Sequence, residues 1–280
     1  MIHTMVLPGK EIADALISSL ARTHKRNESF FVAIMVGNDE RMNSFVNKKA
    51  KTAEIIGIDF HAVRFDESIS THELYNEVEY YASLRQCTGI IVQLPLPKHI
   101  DTEKILRIIP KEKDPDMLGE EAQELFEKDK HIIVPPPVRT LMHFSSFLFP
   151  ELSLSEMFKT KTCVILGHGG LVGKPIATWL RSRAKRVIVL DKGFDEEMLK
   201  HADVIISGTG VPHLFNSSLL KNDAIVIDFG YGMLIEKLAG DFNPTDVPDS
   251  IVHTKTPGGT GPVLVASLFE NYETLLKEFF

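Results

Sequence analysis

Thr162-Cys-Val-Ile-Leu-Gly-His-Gly-Gly-Leu-Val-Gly-Lys-Pro175 runs a short apolar, β-rich segment into a cluster of glycines and then into a helix start. Glycine at such a bend lets the backbone turn tightly without a Cβ clash. It also lets a ligand's phosphates approach the helix N-terminus, whose unpaired N–H groups favour negative charge. Gly167, His168, Gly169, Gly170, Val172 and Gly173 therefore make a candidate phosphate cradle. A second strand-like run, Arg186-Val-Ile-Val-Leu190, follows and ends at Asp191 and Lys192. The offset from the first glycine, roughly 20 residues, suits a carboxylate that reaches an adenosine ribose. A dinucleotide is the natural occupant.

Outward from that stretch, Ala202-Asp-Val-Ile-Ile-Ser207 and Ala224-Ile-Val-Ile-Asp228 read as two further buried strands. The first is followed by Gly208, Thr209 and Gly210, and the second by Gly230 and Gly232. Glycines just past the carboxyl ends of parallel strands mark the ligand crevice of a doubly wound sheet, so these positions, with Asp228, join the candidate cofactor site. The N-terminal half alternates in the same βαβ manner. A helical stripe over Glu11 to Thr23 precedes a buried strand Phe30–Val36, and a helix from Glu40 to Ile56 is stopped by Gly57. Strand Phe60–Phe65, helix Thr71–Leu84 and strand Gly89–Leu94 complete the series. The Pro135-Pro-Pro137 run excludes central strand and helix interior, and is read as the inter-lobe connection. Thr256-Pro-Gly-Gly-Thr-Gly-Pro262 leads into a last apolar helix to Phe280, with Pro262 in its first turn.

At 280 residues two lobes are expected, and 44% hydrophobic with 25% charged residues is the composition of a folded globular chain. A net charge of -7 argues against non-specific nucleic-acid binding, which needs a basic surplus. No stretch is long and apolar enough for a bilayer span, and Lys10, Glu11 and Asp14 interrupt any signal-peptide core. Cys87 and Cys163 each lie in an apolar strand-like segment and read as buried thiols of a reducing compartment, so a cytoplasmic location is expected. The 11 histidines are scattered singly, and no metal site is indicated.

Several separated segments together resemble the bifunctional methylenetetrahydrofolate dehydrogenase/methenyltetrahydrofolate cyclohydrolase enzymes of one-carbon metabolism. They are Phe45-Val-Asn-Lys-Lys49, Val92-Gln-Leu-Pro-Leu-Pro97, Lys113-Asp-Pro-Asp116, Gly167 to Pro175, Val226-Ile-Asp-Phe-Gly230, Gly240-Asp241 and Pro257-Gly-Gly-Thr-Gly-Pro262. They follow the family's order and spacing across nearly the whole chain. The resemblance implies an α/β chain of two lobes. Residues 1–137 would form a folate-binding catalytic domain, completed by a C-terminal helix 261–280 that returns to it. Residues 138–260 would form a Rossmann-type NAD(P)-binding domain with a doubly wound parallel sheet. It further implies tetrahydrofolate derivatives as substrates, an interlobe cleft, a homodimer, and two activities. These are oxidation of 5,10-methylenetetrahydrofolate to the methenyl form, and hydrolysis of the methenyl form to 10-formyltetrahydrofolate.

Residue by residue, the resemblance makes Lys49 the catalytic lysine, Gln93 the amide that positions it, and Asp116 the acid that grips the pterin's amino and ring N–H groups. Phe45, four residues before Lys49 and on the same helical face, offers the folate a stacking ring. Pro257, Gly258, Gly259, Gly261 and Pro262 carry over as substrate-binding. Taken alone, a helical lysine is a solvated surface residue and a Gly-rich turn only a turn; the resemblance is what gives them roles. The chain also departs from the pattern. Phe45 stands where the family usually has Tyr and lacks its hydroxyl, and His168 stands where an Arg helps to hold the 2′-phosphate of NADP. With Asp191 at the strand end, the cofactor, NADP or NAD, is tilted towards NAD. Pro135-Pro-Pro-Val138 and Val263-Leu264 replace more polar family strings. These departures leave open a second reading, a folate- or nucleotide-binding relative without the cyclohydrolase or without both activities.

Overall fold

A computed structural model describes residues 5–25, 27–193 and 195–280, the side chain of Arg41 excepted. It divides into two compact units, each made of two separate pieces of chain: Met1–Ala13 with Pro137–Leu264, and Asp14–Pro136 with Val265–Phe280. The chain starts with β1 (Met5–Val6) and α1 (Gly9–Thr23).

In the unit built from 14–136 and 265–280, β2 (Phe30–Val36), α2 (Glu40–Ile56), β3 (Asp59–Phe65), α3 (Thr71–Ser83) and β4 (Cys87–Val92) make a parallel three-stranded sheet of order β3-β2-β4 and two helices. Two short helices, α4 (Thr102–Arg107) and α5 (Glu120–Glu127), follow. β2 is central, and its period-2 alternation feeds two separate cores. Phe31, Ala33 and Met35 face a cluster with Met42, Val46 and Ala53 of α2 and Val265, Leu268, Phe269 and Tyr272 of the C-terminal helix. Val32, Ile34 and Val36 face Leu74 and Val78 of α3 and Ile105 of α4. The C-terminal helix thus supplies one face of this sheet. Its Tyr272 ring stacks on Phe31 at 4.8 Å, and a Cβ on Gly89 of β4 would sit 2.8 Å from that Tyr272 ring, so only glycine permits the approach.

The other unit carries α6 (Pro136–Leu148), whose range starts one residue before its own, then α7 (Leu154–Met157), β5 (Thr162–Leu166), α8 (Gly173–Leu180), β6 (Arg186–Leu190), β7 (Val204–Ser207), β8 (Phe215–Asn216) and β9 (Ile225–Asp228). A hairpin β10 (Gly232–Leu234) with β11 (Lys237–Ala239), then β12 (Phe242–Asn243), β13 (Val252–His253) and the start of α9 (Thr260–Phe279) complete it. Its main sheet has six strands, all parallel, in the order β1-β13-β9-β7-β5-β6. The central strands are buried on both faces, as the uninterrupted Val/Ile runs require.

Three details differ from the sequence expectation. β1 pairs with β13 at the edge of the six-stranded sheet, so the first residues do not stay with a lobe spanning 1–137. The proline run both marks the change of unit and starts α6, because proline at a first helical position gives up only an N–H that has no partner there. Ala202 caps a turn of 3₁₀ helix over Glu196–His201, which delays β7 to Val204.

Candidate active site

α2 begins at Glu40 and presents Phe45 and Lys49 one turn apart. Phe45 is half-buried against the α2 core, with the Lys48 ammonium 5.9 Å from its ring centre. Lys49 is only 7% exposed. Its Nζ donates to Gln93 Oε1 at 3.1 Å and lies 4.0 Å from Asp116 Oδ2. Gln93 sits just past the carboxyl end of β4, where its backbone N–H still bonds Ile34 on β2. Its Nε2 donates to the Leu94 carbonyl at 3.1 Å, which fixes the amide so that Oε1 faces the lysine. The structure therefore brings Lys49, Gln93 and Asp116, from three separated sequence segments, into one cluster.

Burial pulls the Lys49 pKa below the ordinary lysine value, and the Asp116 charge opposes this. Burial likewise raises Asp116, and Lys49 opposes that. Both shifts run towards the neutral forms, so lost hydration outweighs a pairing at 4.0 Å. Such a lysine carries a larger share of free amine near neutral pH than a solvated one, as a proton acceptor requires.

In the six-stranded unit, β5 ends at the glycine turn. Gly167 has φ 87, a left-handed conformation that side chains resist, and its N–H bonds the Leu190 carbonyl, which sets Asp191 and Lys192 beside the turn. A Cβ on Gly173 would lie 1.9 Å from the Gly167 carbonyl oxygen, so α8 can begin against the turn only with glycine there. Val172 caps that helix, and its side chain fills the space above Gly208. Cβ atoms on Gly169 and Gly170 would meet nothing within 4 Å. No atom of the described residues requires these two glycines, and the open backbone gives pyrophosphate room to approach the start of α8. His168, Asp191, Lys192 and Gly210 are exposed, and Thr209 is half-buried. Asp191 Oδ1 accepts the Lys192 N–H at 2.9 Å. These residues fit a dinucleotide.

Asp228 faces inward instead. It is 1% exposed, with Oδ1 accepting the Gly230 N–H and Oδ2 the Phe242 N–H. The same framework includes Asp241, which follows Gly240 in one of the resembling segments. Its Oδ2 accepts from Ser207 Oγ at 2.5 Å and from the Thr209 N–H at 2.7 Å, while its Oδ1 has no hydrogen-bond partner among the described residues. Gly230 and Gly240 must be glycine because a Cβ on either would sit 2.1 Å from one of these carboxylates. The acids thus anchor the Gly208–Gly210 turn to the end of β9. The signal for Asp241 was the glycine before it and its matching spacing, not its own chemistry.

Burial first, and Asp241 next, push Asp228 up to about 7. An acid raised in the folded state retains its proton where the unfolded chain has lost it. Stability from this site is therefore greatest below the ordinary carboxylate range, and is lost as pH rises to about 7. Asp241→Asn removes the neighbouring charge and keeps an acceptor for Ser207 and Thr209. Melting temperatures measured across that range are expected to fall less steeply in the variant than in the wild type. Part of the slope persists, because buried Asp114 is also raised to about 7. Identical slopes would remove Asp241 from this account.

The segment Pro257 to Pro262 belongs to the six-stranded unit. Gly258 takes φ 96, and a Cβ on Gly259 would lie 2.3 Å from the Lys255 carbonyl oxygen. Thr260 Oγ1 donates to the Asp228 carbonyl at 2.8 Å, Gly261 is open, and Pro262 lies in the first turn of α9. Among the described residues, no group of three or more His, Cys, Asp or Glu could hold a metal ion.

Residues 7–116 match the family model for the tetrahydrofolate dehydrogenase/cyclohydrolase catalytic domain, and residues 152–279 the model for the NAD(P)-binding domain of the same family. A bifunctional protein FolD of Wolbachia sp. subsp. Brugia malayi is 32% identical over 282 residues, covering 96% of this chain and 94% of the relative. The same-named protein of Clostridium botulinum is 30% identical, covering 98% of each. Among solved structures, the bifunctional FolD of Campylobacter jejuni superposes with TM-score 0.89 at 28% identity, over 99% of this chain and 100% of that one. The Trypanosoma brucei dehydrogenase-cyclohydrolase, solved with NADP and an inhibitor, gives TM-score 0.88 at 27% identity, over 99% of this chain and 98% of that one.

Proposed function

From a chain that belongs to the tetrahydrofolate dehydrogenase/cyclohydrolase family, we propose how its own residues divide two activities. The protein oxidises 5,10-methylenetetrahydrofolate to the methenyl form with NAD(P)+, and hydrolyses the methenyl form to 10-formyltetrahydrofolate. The observation that carries the assignment is the buried Lys49 amine held by Gln93 beside Asp116.

In hydrolysis, water attacks the cationic methenyl carbon and Lys49 Nζ takes its proton. As the bond from that carbon to N5 breaks, Lys49 returns a proton to N5, and the remaining hydroxyl proton leaves to solvent. Gln93 holds the amine in place through its oriented Oε1. Asp116 accepts two N–H groups from the 2-amino-pyrimidinone edge of the pterin, which supplies orientation as well as affinity. Phe45 offers a ring face without a phenol, so Lys49 handles protons without a hydroxyl relay at that position. In oxidation, a nicotinamide cofactor held by the six-stranded unit would supply the hydride acceptor. This step needs positioning and no strong base. The Gly167–Gly173 turn and the start of α8 would hold the pyrophosphate, while Asp191 would favour the free ribose 2′-hydroxyl of NAD over the extra phosphate of NADP.

The test is turnover of methylenetetrahydrofolate with each cofactor at matched concentration, followed by reduced nicotinamide and by methenyl absorbance. Both signals are expected, with NAD the better cofactor. Turnover with neither cofactor sinks the enzyme, and a clear NADP preference sinks the role given to Asp191. The reading also includes a homodimer and a reducing, cytoplasmic setting. Support for the former is the apolar hairpin tip, where Met233 is 50% and Ile235 89% exposed. Support for the latter is that Cys87 and Cys163 are free, buried thiols. Among the described residues no helix is long and apolar enough to cross a membrane.

A further inference from the structure

Asn271 lies on α9 in the same unit as Lys49 and is completely buried. Both hydrogens of its amide are used, because Nδ2 donates at 2.8 Å to the carbonyl of Pro115 and at 2.8 Å to that of Val134. Pro115 immediately precedes Asp116. The rest of that loop is tied down on either side. The Lys113 ammonium donates to the Ala82 and Leu84 carbonyls, and Asp114 Oδ2 accepts the Gly119 N–H at 2.7 Å. Between these ties Met117 takes φ 55, an unusual conformation for a side-chain-bearing residue. Such a turn persists only when its surroundings over-determine it. The bond from Asn271 falls on the residue just before Asp116, and it comes from an element remote in sequence.

We infer that Asn271 is a positioning residue for folate recognition: through the Pro115 carbonyl it holds the Asp116 carboxylate at its place beside Lys49, where the pterin edge is gripped. The inference rests on the reading of Lys49 and Asp116 given above. It adds that the C-terminal helix sets the geometry of the substrate site through one amide. Two neighbours face Lys49 from other elements, the Asp116 carboxylate from the loop and the neutral Gln93 amide from the end of β4. A displaced Asp116 therefore withdraws the charge that holds the Lys49 pKa up.

The test is Asn271→Leu, which keeps the branched shape and removes both donors, with Asn271→Ser as a smaller variant that retains one donor. For the folded variant, the KM for methylenetetrahydrofolate and the Kd for 5-formyltetrahydrofolate by calorimetry are expected to rise about tenfold, the worth of one or two lost hydrogen bonds. The KM for the nicotinamide cofactor and the dehydrogenase kcat stay near wild type. The acid limb of methenyl hydrolysis moves to lower pH, because Lys49 without Asp116 gives up its proton more readily. Asn271→Ser falls between the two proteins, and carries the same measurements if the leucine variant does not fold. An unchanged folate affinity, a parallel rise in both KM values, or a uniform loss of rate with an unmoved limb overturns the inference. Failure of the underlying reading is separate, since it shows as wild-type protein that binds the folate without turning it over.

Discussion

Lys49→Met is expected to slow methenyl hydrolysis about 10²- to 10⁴-fold, the usual worth of a positioned proton-transfer group, while hydride transfer continues. The asymmetry follows from the chemistry. Water cannot add to the methenyl carbon and open the ring without a place for its proton, whereas the methylene group loses only hydride. Methionine fills much of the lysine's volume in a position that is 7% exposed, so the α2 core stays packed. Dehydrogenation is affected through binding. Asp116 loses the ammonium that opposes its desolvation, its carboxyl is pushed further up, and the neutral acid grips the pterin's N–H groups less well. A higher folate KM with a near-normal dehydrogenase kcat is therefore expected. Stopped-flow decay of methenyl absorbance, beside the production of reduced nicotinamide, separates the two activities. Equal loss of both would show that Lys49 holds the substrate and does not handle the proton.

The converse variant is Gly173→Ala. Its new methyl group would occupy a point 1.9 Å from the Gly167 carbonyl oxygen, which is backbone and cannot rotate aside. Either the glycine turn opens or the first turn of α8 shifts, and each displaces the N–H groups meant for the pyrophosphate. Overpacking of this kind costs about 1–3 kcal/mol. Expressed in cofactor affinity alone, that is about a 5- to 150-fold increase in Kd. Hydrolysis, which needs no nicotinamide, is expected to persist at close to the wild-type rate. A Gly173→Ala protein with normal cofactor KM would show that the loop relaxes at no cost. The companion Gly169→Ala, in open space, is expected to be tolerated structurally and to report only on the approach of the ligand.

Much of this architecture was legible because it depends on local composition. The Val/Ile runs of β2, β5 and β9, the glycines at their carboxyl ends and the cap at Gly57 each obey a rule that acts within a few residues. The meeting of Lys49, Gln93 and Asp116 was also legible, although only through resemblance to a family. No property of a single lysine or glutamine announces that two segments meet. What escaped were features made by packing at a distance. β1 has two residues and no pattern to distinguish it from a terminus, yet it closes the edge of the large sheet beside β13. Asn271 carried no sequence signal, and Asp114 and Asp241 stood out only as members of longer motifs. Their roles come from partners between five and 156 positions away. Asp228 was grouped with the cofactor residues because it ends a parallel strand. Its carboxylate turned out to be occupied by the backbone of its own unit.

The interleaving of the two units constrains how the molecule can be made. Translation delivers Asp14–Pro136 early, but the helix face that covers Phe31 and supplies Asn271 is encoded in Val265–Phe280, which is made only after Pro137–Leu264. The nascent sheet with Lys49 must wait, one apolar face bare, through synthesis of the entire nucleotide-binding segment. A premature stop anywhere before residue 265 would thus yield chains without a finished lysine site, however complete the rest, and such products are natural clients for chaperones and proteases.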